Sequence, residues 1–207
     1  MQVARRFFLT RILGVVHIRR LNIKVLLALP GLILGLIGAL GSLWLGVDFT
    51  DLPLEILIPS AFTAFFAISF LSACFERFVP SFSLAGGLLE GIMQSLGLNG
   101  LWAFVLALTS SLGEELFFRG FLLALGLKFL PVWLAVLAQA LLFAAFHPAP
   151  AQAWGYPLWT ALVGLVLGLI VVACGSIEPG ILAHYLFNHI NLNQVLQPRA
   201  SSQNGSS

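Results

Sequence analysis

Residues Gly113–Gly126 have the sequence GEELFFRGFLLALG, in which two adjacent carboxylates and an arginine lie inside an otherwise apolar helix. Charged side chains are costly in hydrocarbon, so their presence indicates a specific role. Glu115 and Arg119 are four residues apart and share one helix face, where they can pair. Glu114 points to another face and has no local cation. An unpaired carboxylate in dry surroundings is a natural general base.

The composition of the 207-residue chain is far from that of a soluble domain. Hydrophobic residues make up 59% of the chain and charged residues only 9%. Runs of about 20 apolar residues recur along it, and each can cross roughly 30 Å of hydrocarbon as a helix. The sequence therefore predicts an all-α fold: a polytopic transmembrane bundle of roughly six to eight helices with a buried polar cavity.

The chain is predicted to have three parts. Residues 1–24 hold six of its ten Lys and Arg residues, interleaved with apolar ones. This pattern predicts a basic amphipathic arm that contacts membrane lipids, not nucleic acid, and a cytoplasmic N-terminus in the cell (inner) membrane. Residues 25–196 form a single transmembrane helical domain, with its motif-bearing core at 101–196. Residues 197–207 have nothing apolar to bury and are predicted to be disordered.

Residues 81–98 leave the topology open. Glu90, Gln94 and four glycines make this stretch a poor lipid-facing helix. It either crosses the membrane, re-enters it or lies along its surface. If it crosses, the C-terminus is outside; otherwise the C-terminus is cytoplasmic.

Three polar clusters lie in three different predicted helices, and each contains a pair at i,i+4 spacing. They are EELFFR at 114–119, FAAFH at 143–147 and HYLFN at 184–188. Glu114 and His147 are equally distant from the turn near Leu130 and Pro131, so antiparallel neighbours bring them level. His184 joins them if the loop after His147 dips into a protein-lined cavity, since irregular backbone is tolerated at depth only there.

Two kinds of chemistry fit such a cluster. In the first, Glu114 and His147 activate a water while His184 and Asn188 donate hydrogen bonds to a developing oxyanion, which is amide hydrolysis. In the second, Glu114, His147 and His184 are ligands to zinc, which also generates a nucleophilic water. The sequence does not separate these arrangements, although the HExxH motif of soluble zinc proteases is absent.

These residues resemble the CPBP group of intramembrane proteases, which includes type II CAAX prenyl endopeptidases and bacteriocin-processing or immunity proteins. The group's pattern is E-E-x-x-x-R, F-x-x-x-H and H-x-x-x-N or D, each in a separate transmembrane helix, and the chain has all three in order. The resemblance implies that Glu114 and His147 act on the attacking water and that His184 and Asn188 stabilise the oxyanion. Glu115 and Arg119 are implied to be supporting residues.

The aromatic ring of Phe143 is expected to support the site by packing, since an aromatic at i−4 can shield His147 without taking part in the chemistry. The resemblance leaves the substrate open: a peptide or a membrane protein, prenylated or not. Two other classes of function also place charges at depth. One is a catalytically silent relative that acts as a binding or peptide-immunity factor, and the other is a transporter or proton pathway.

Overall fold

The computed structural model describes residues 23–47 and 52–196, so the predicted basic arm, apart from its last two residues, and the predicted disordered tail lie outside the described residues. Within those ranges there is no β-strand, and the predicted all-α fold is confirmed. Seven helices are described: α1 Ile23–Leu45, α2 Leu54–Phe78, α3 Pro80–Ser95, α4 Gly100–Leu127, α5 Val132–Ala145, α6 Gly155–Cys174 and α7 Glu178–Leu196.

Four of these helices, α1, α2, α4 and α6, are long and apolar enough to cross a membrane. Helix α5 is apolar but has only 14 residues. Helix α7 has 19 residues but is not among the four, because His184, Asn188 and other polar residues interrupt its apolar sequence. The predicted site histidines therefore lie just after the short helix and within the polar one.

Helix α3 lies across one end of the bundle and does not traverse it. At its start, Ser81 Oγ accepts a hydrogen bond from the backbone N–H of Gly155, where α6 begins. Near its other end, Gln94 donates to the carbonyl of Val195, in the last turn of α7. The first turn of α1 is at the same end, since Lys24 Nζ donates to the carbonyl of Gly97. We call this the α3 end.

The position of α3 disfavours a crossing by residues 81–98, because both ends of the helix lie at the same end of the bundle. None of the residues of α3 is buried, as expected for a glycine-rich helix with Glu90 and Gln94. Helix α1 begins at the α3 end and α7 finishes there. Both ends of the described domain therefore lie on the same side. The predicted cytoplasmic location of that side stays a prediction.

Glycines allow two pairs of helices to pack with their backbones in contact. A Cβ on Gly31 of α1 would overlap the carbonyl of Thr109 in α4, and one on Gly113 would overlap the carbonyl of Gly31. In α6, a Cβ on Gly164 would lie 2.9 Å from Ala140 Cα in α5. Close packing of this kind stabilises helix pairs in lipid, where the hydrophobic effect between helices is weak.

The main apolar core lies where α2, α4, α5, α6 and α7 meet. Its buried members are Ala64, Ile68, Phe118, Phe143, Val163, Leu167 and Ala183. Three of these residues are close in sequence to the predicted site: Phe118 precedes Arg119, Phe143 lies one turn before His147, and Ala183 precedes His184. The core therefore fixes the three helix segments that carry the polar clusters.

Candidate active site

Glu114 lies near the middle of α4, at a change in helix type. The backbone is α-helical up to Glu114 and π-helical over Glu115–Leu123. Turns of π-helix are rare and are frequently found at functional sites. The boundary falls between the two adjacent glutamates, which face different neighbours.

The carboxylate of Glu114 faces two imidazole rings. Its Oε2 atom lies 3.7 Å from Nε2 of His147 and 3.7 Å from Nε2 of His184. The same oxygen is buried and has no hydrogen-bond partner in the described part of the chain. The structure thus brings together three of the predicted site residues, from α4, from the segment after α5 and from α7.

His147 is the second residue after α5, and the helix ends just before the proline at position 148. Pro148 has no N–H and disfavours the helical conformation for the residue before it. The imidazole Nδ1 of His147 lies 2.8 Å from the carbonyl oxygen of Phe143. Because a carbonyl can only accept, Nδ1 carries the hydrogen, and in the neutral ring Nε2 has a free lone pair directed at Glu114.

His184 is oriented by a carboxylate. Its Nδ1 lies 2.9 Å from Oε1 of Glu115, so this nitrogen is also the donor and Nε2 faces Glu114. The same Oε1 accepts a hydrogen bond of 2.9 Å from Nη1 of Arg119. The predicted pairing of Glu115 with Arg119 therefore forms, and it extends to one of the histidines.

The Glu115–Arg119 pair is sealed from solvent, since both side chains are 0% exposed. The guanidinium of Arg119 lies over the ring of Phe143, with Cζ 4.3 Å from the ring centroid. The other face of the site is more open, with Glu114 14% and His147 21% exposed. A substrate can therefore approach Glu114 and His147 but not the ion pair.

Phe143 has a larger part than shielding one histidine. Its carbonyl orients His147, its ring packs against the His147 ring at 4.6 Å between centroids, and the same ring contacts the guanidinium of Arg119. A cation over an aromatic face is favourable, and more so when both groups are dehydrated. Phe143 therefore links the buried ion pair to the exposed part of the site.

Asn188 contacts a different residue of α4 from Glu114, which the two histidines face. Its Nδ2 donates to Oγ of Ser110 at 3.2 Å, one helical turn before Glu114. This bond uses one of the two N–H groups of the amide and extends the α4–α7 contact toward the α3 end. His189, which is not a predicted site residue, stacks on Tyr185 with 5.4 Å between ring centroids.

Two site residues are missed by sequence reasoning. Gly180 lies one turn before His184, and a Cβ there would be 2.9 Å from Oε2 of Glu115. The i,i+4 spacing of a small residue and a histidine is a signal that could have indicated it. Tyr156 begins α6 with its ring 6.3 Å from that of His147 between centroids. It lies in the stretch HPAPAQAWGYP, whose prolines indicate only a loop.

Glu114, His147 and His184, the predicted zinc ligands, lie close together. Across residues 23–47 and 52–196, no group of three or more His, Cys, Asp or Glu side chains meets the geometry of a metal site. The participation of a metal stays a prediction.

The fold and the site define a class: an integral membrane protein of helices with an unpaired carboxylate and two oriented histidines deep in the bundle. Residues 97–190 match the family model described as Type II CAAX prenyl endopeptidase Rce1-like. This segment is thus similar to the type II CAAX protease family, in agreement with the resemblance seen in the motifs. At the level of the family, the match indicates an intramembrane CAAX-type protease.

The matched segment is somewhat less than half of the chain and runs from just before α4 into α7. It includes all the residues of the candidate site. Comparisons with curated proteins and with solved structures found no match.

Proposed function

We propose that this protein is an intramembrane endopeptidase that hydrolyses a peptide bond with a water activated by Glu114 and His147. The observation that carries the proposal is the convergence of Nε2 of His147 and Nε2 of His184 on Oε2 of Glu114, each at 3.7 Å. This oxygen is buried and has no partner within the described residues. Buried polar atoms normally have one. Oε2 of Glu115 also lacks a partner, but only the Glu114 side chain is partly exposed, and this combination supports a chemical role for Glu114.

The distances suit a shared water better than direct hydrogen bonds. A separation of 3.7 Å is longer than a hydrogen bond, whereas a water oxygen can lie within hydrogen-bond reach of all three atoms. With Nδ1 of both rings acting as donors, the water donates one hydrogen to Glu114 and the other to a histidine Nε2. Its lone pairs then remain free for a substrate carbonyl carbon.

In the first step, Glu114 takes a proton from the water as the water oxygen bonds to the carbonyl carbon, and the carbonyl oxygen becomes an oxyanion. In the second step, the C–N bond breaks and the proton passes from Glu114, by way of His147, to the leaving nitrogen. The products are a carboxylic acid and an amine. One water is consumed, and Glu114 ends as it began.

His184 and Asn188 are the donors proposed for the oxyanion. As an imidazolium, His184 donates Nδ1–H to Glu115 and Nε2–H toward the substrate, and the Glu115 carboxylate balances its charge. Asn188 keeps one amide N–H after its bond to Ser110. Donors held in advance by the protein stabilise charge that develops in the transition state without having to reorganise.

The test is cleavage of a mixed library of peptides and membrane proteins by the purified protein in lipid vesicles. We expect Glu114→Gln to lower the cleavage rate by about 10³-fold, because glutamine cannot accept the proton. The matched control is Glu55→Gln, since Glu55 is exposed in the first turn of α2, and this variant should cleave at the wild-type rate. A zinc chelator should leave the rate unchanged.

Two outcomes would overturn the proposal. Cleavage by Glu114→Gln at the wild-type rate would remove Glu114 from the mechanism. If folded wild type and both variants cleaved nothing, a binding or peptide-immunity role would take the place of the protease.

A further inference from the structure

Two donors are proposed above for the oxyanion, Nε2–H of His184 and one amide N–H of Asn188, and both groups also face other partners. Nδ1 of His184 is bonded to Glu115, and its Nε2 faces the carboxylate of Glu114. One amide N–H of Asn188 is donated to Ser110. His147 faces Glu114 as well. An additional donor near His147 would therefore complete the site.

Tyr156, in the first turn of α6, is the candidate for such a donor. Its ring lies beside that of His147, with 6.3 Å between centroids and 63° between the planes, and the side chain is half-buried. The phenol hydroxyl has no hydrogen-bond partner among the residues that the structure describes.

The ring of Tyr156 is held by its neighbours and not by its hydroxyl. It stacks on Trp159 with 6.0 Å between centroids and 23° between planes. Trp159 in turn packs against Phe82 of α3 and Phe187 of α7. The carbonyl of Tyr156 accepts a hydrogen bond from Thr160 Oγ1 at 2.8 Å, which is a contact inside α6. The hydroxyl is thus free for a ligand.

We propose that the Tyr156 hydroxyl is a further catalytic donor, which hydrogen-bonds the carbonyl oxygen of the substrate as that oxygen becomes an oxyanion. This inference rests on the proposed peptidase function. The phenol stays neutral throughout and transfers no proton. Its hydrogen bond strengthens as the water oxygen adds to the carbonyl carbon and weakens again when the C–N bond breaks. Removing one donor of this kind typically lowers kcat by about 10²–10³-fold.

The chain offers a closely matched experiment, because it has only two tyrosines. Tyr156→Phe removes one oxygen and keeps the ring that packs on Trp159, so folding should be preserved. Tyr185→Phe is the control, since Tyr185 stacks on His189. On a peptide that wild type cleaves, we expect kcat to fall about 100-fold in Tyr156→Phe with KM within about twofold, and no change in Tyr185→Phe.

A second measurement separates transition-state binding from a packing role. A peptide aldehyde with the sequence that precedes the cleaved bond forms a tetrahedral adduct with water, which resembles the intermediate. Tyr156→Phe should weaken its inhibition by about the same factor as it lowers kcat. A residue that only supports packing would instead change the unfolding midpoint and KM.

The outcomes distinguish the two proposals. If Tyr156→Phe keeps kcat and aldehyde inhibition within twofold of wild type while Glu114→Gln is inactive, the role of Tyr156 is wrong and the proposed function stands. If Glu114→Gln is as active as wild type, the proposed function fails first, and the inference about Tyr156 fails with it.

Discussion

Glu114 and Glu115 are neighbours in sequence and have opposite surroundings. Glu115 is fully buried and bonded to both Arg119 and His184. Glu114 is partly exposed, and its Oε2 atom has no hydrogen-bond partner among the described residues. Unpartnered oxygens do not distinguish the two carboxylates, because Oε2 of Glu115 also lacks a partner among the described residues. They differ because Glu115 is bonded through Oε1 and sealed from solvent, whereas Glu114 can be reached by water and by a substrate. This difference supports the proposed roles, positioning for Glu115 and chemistry for Glu114.

The largest expected effect is on the free energy of unfolding, when the cation that pairs with Glu115 is removed. Arg119→Leu leaves Glu115 buried without its cation, and we expect the free energy of unfolding to fall by about 3–5 kcal/mol, measured by denaturant titration in detergent. Arg77→Leu, at an exposed arginine in the last turn of α2, should change it by less than about 0.5 kcal/mol. Glu114→Gln should also be nearly neutral for stability although it abolishes cleavage. Equal destabilisation by Arg119→Leu and Arg77→Leu would contradict a buried pair.

A smaller effect is expected at Gly180, where an added methyl would press on the Glu115 carboxylate at 2.9 Å. Glu115 can move only by loosening its bonds to Arg119 and His184. We expect Gly180→Ala to cost about 1–3 kcal/mol of stability and to lower kcat about 10-fold by misorienting His184. Gly91→Ala is the control, because a Cβ there meets nothing within 4 Å. Wild-type kcat in Gly180→Ala would show that His184 needs no such positioning.

The smallest effect is expected at Ser110, whose hydroxyl accepts from Asn188. Ser110→Ala should lower kcat only a few-fold and stability by about 1 kcal/mol, the usual net value of one hydrogen bond. Ser95→Ala is matched to it, since both hydroxyls donate to the carbonyl three residues earlier and Ser95 is exposed. A loss of kcat as large as that of Glu114→Gln would mean that Ser110 itself takes part in the chemistry.

Sequence reasoning reached the centre of the site because helical spacing is a local property. The pairing of Glu115 with Arg119 follows from their spacing of four residues, which places both side chains on the same face of one helix. The approach of His147 to Glu114 follows from two antiparallel segments of equal length joined by one turn. In both cases a short stretch of chain determines the geometry.

The rest of the site depends on contacts between distant parts of the chain. Helix α3 lies across the bundle because of partners in α6 and α7, and its own sequence does not indicate them. Tyr156 reaches His147 only because α5 stops early and α6 begins beside α3. The bond from Asn188 to Ser110 depends on the register between α7 and α4. Local patterns do not contain this information.

The short length of α5 has a consequence for the water that the hydrolysis consumes. Its 14 residues extend about 21 Å, less than the roughly 30 Å of a hydrocarbon core, and residues 146–154 cover the remaining distance without an α-helix. Peptide groups outside a helix need other partners, and at depth water is the available one. We therefore expect the segment after α5, which carries His147, to be hydrated and to be the route by which the water for hydrolysis reaches the site.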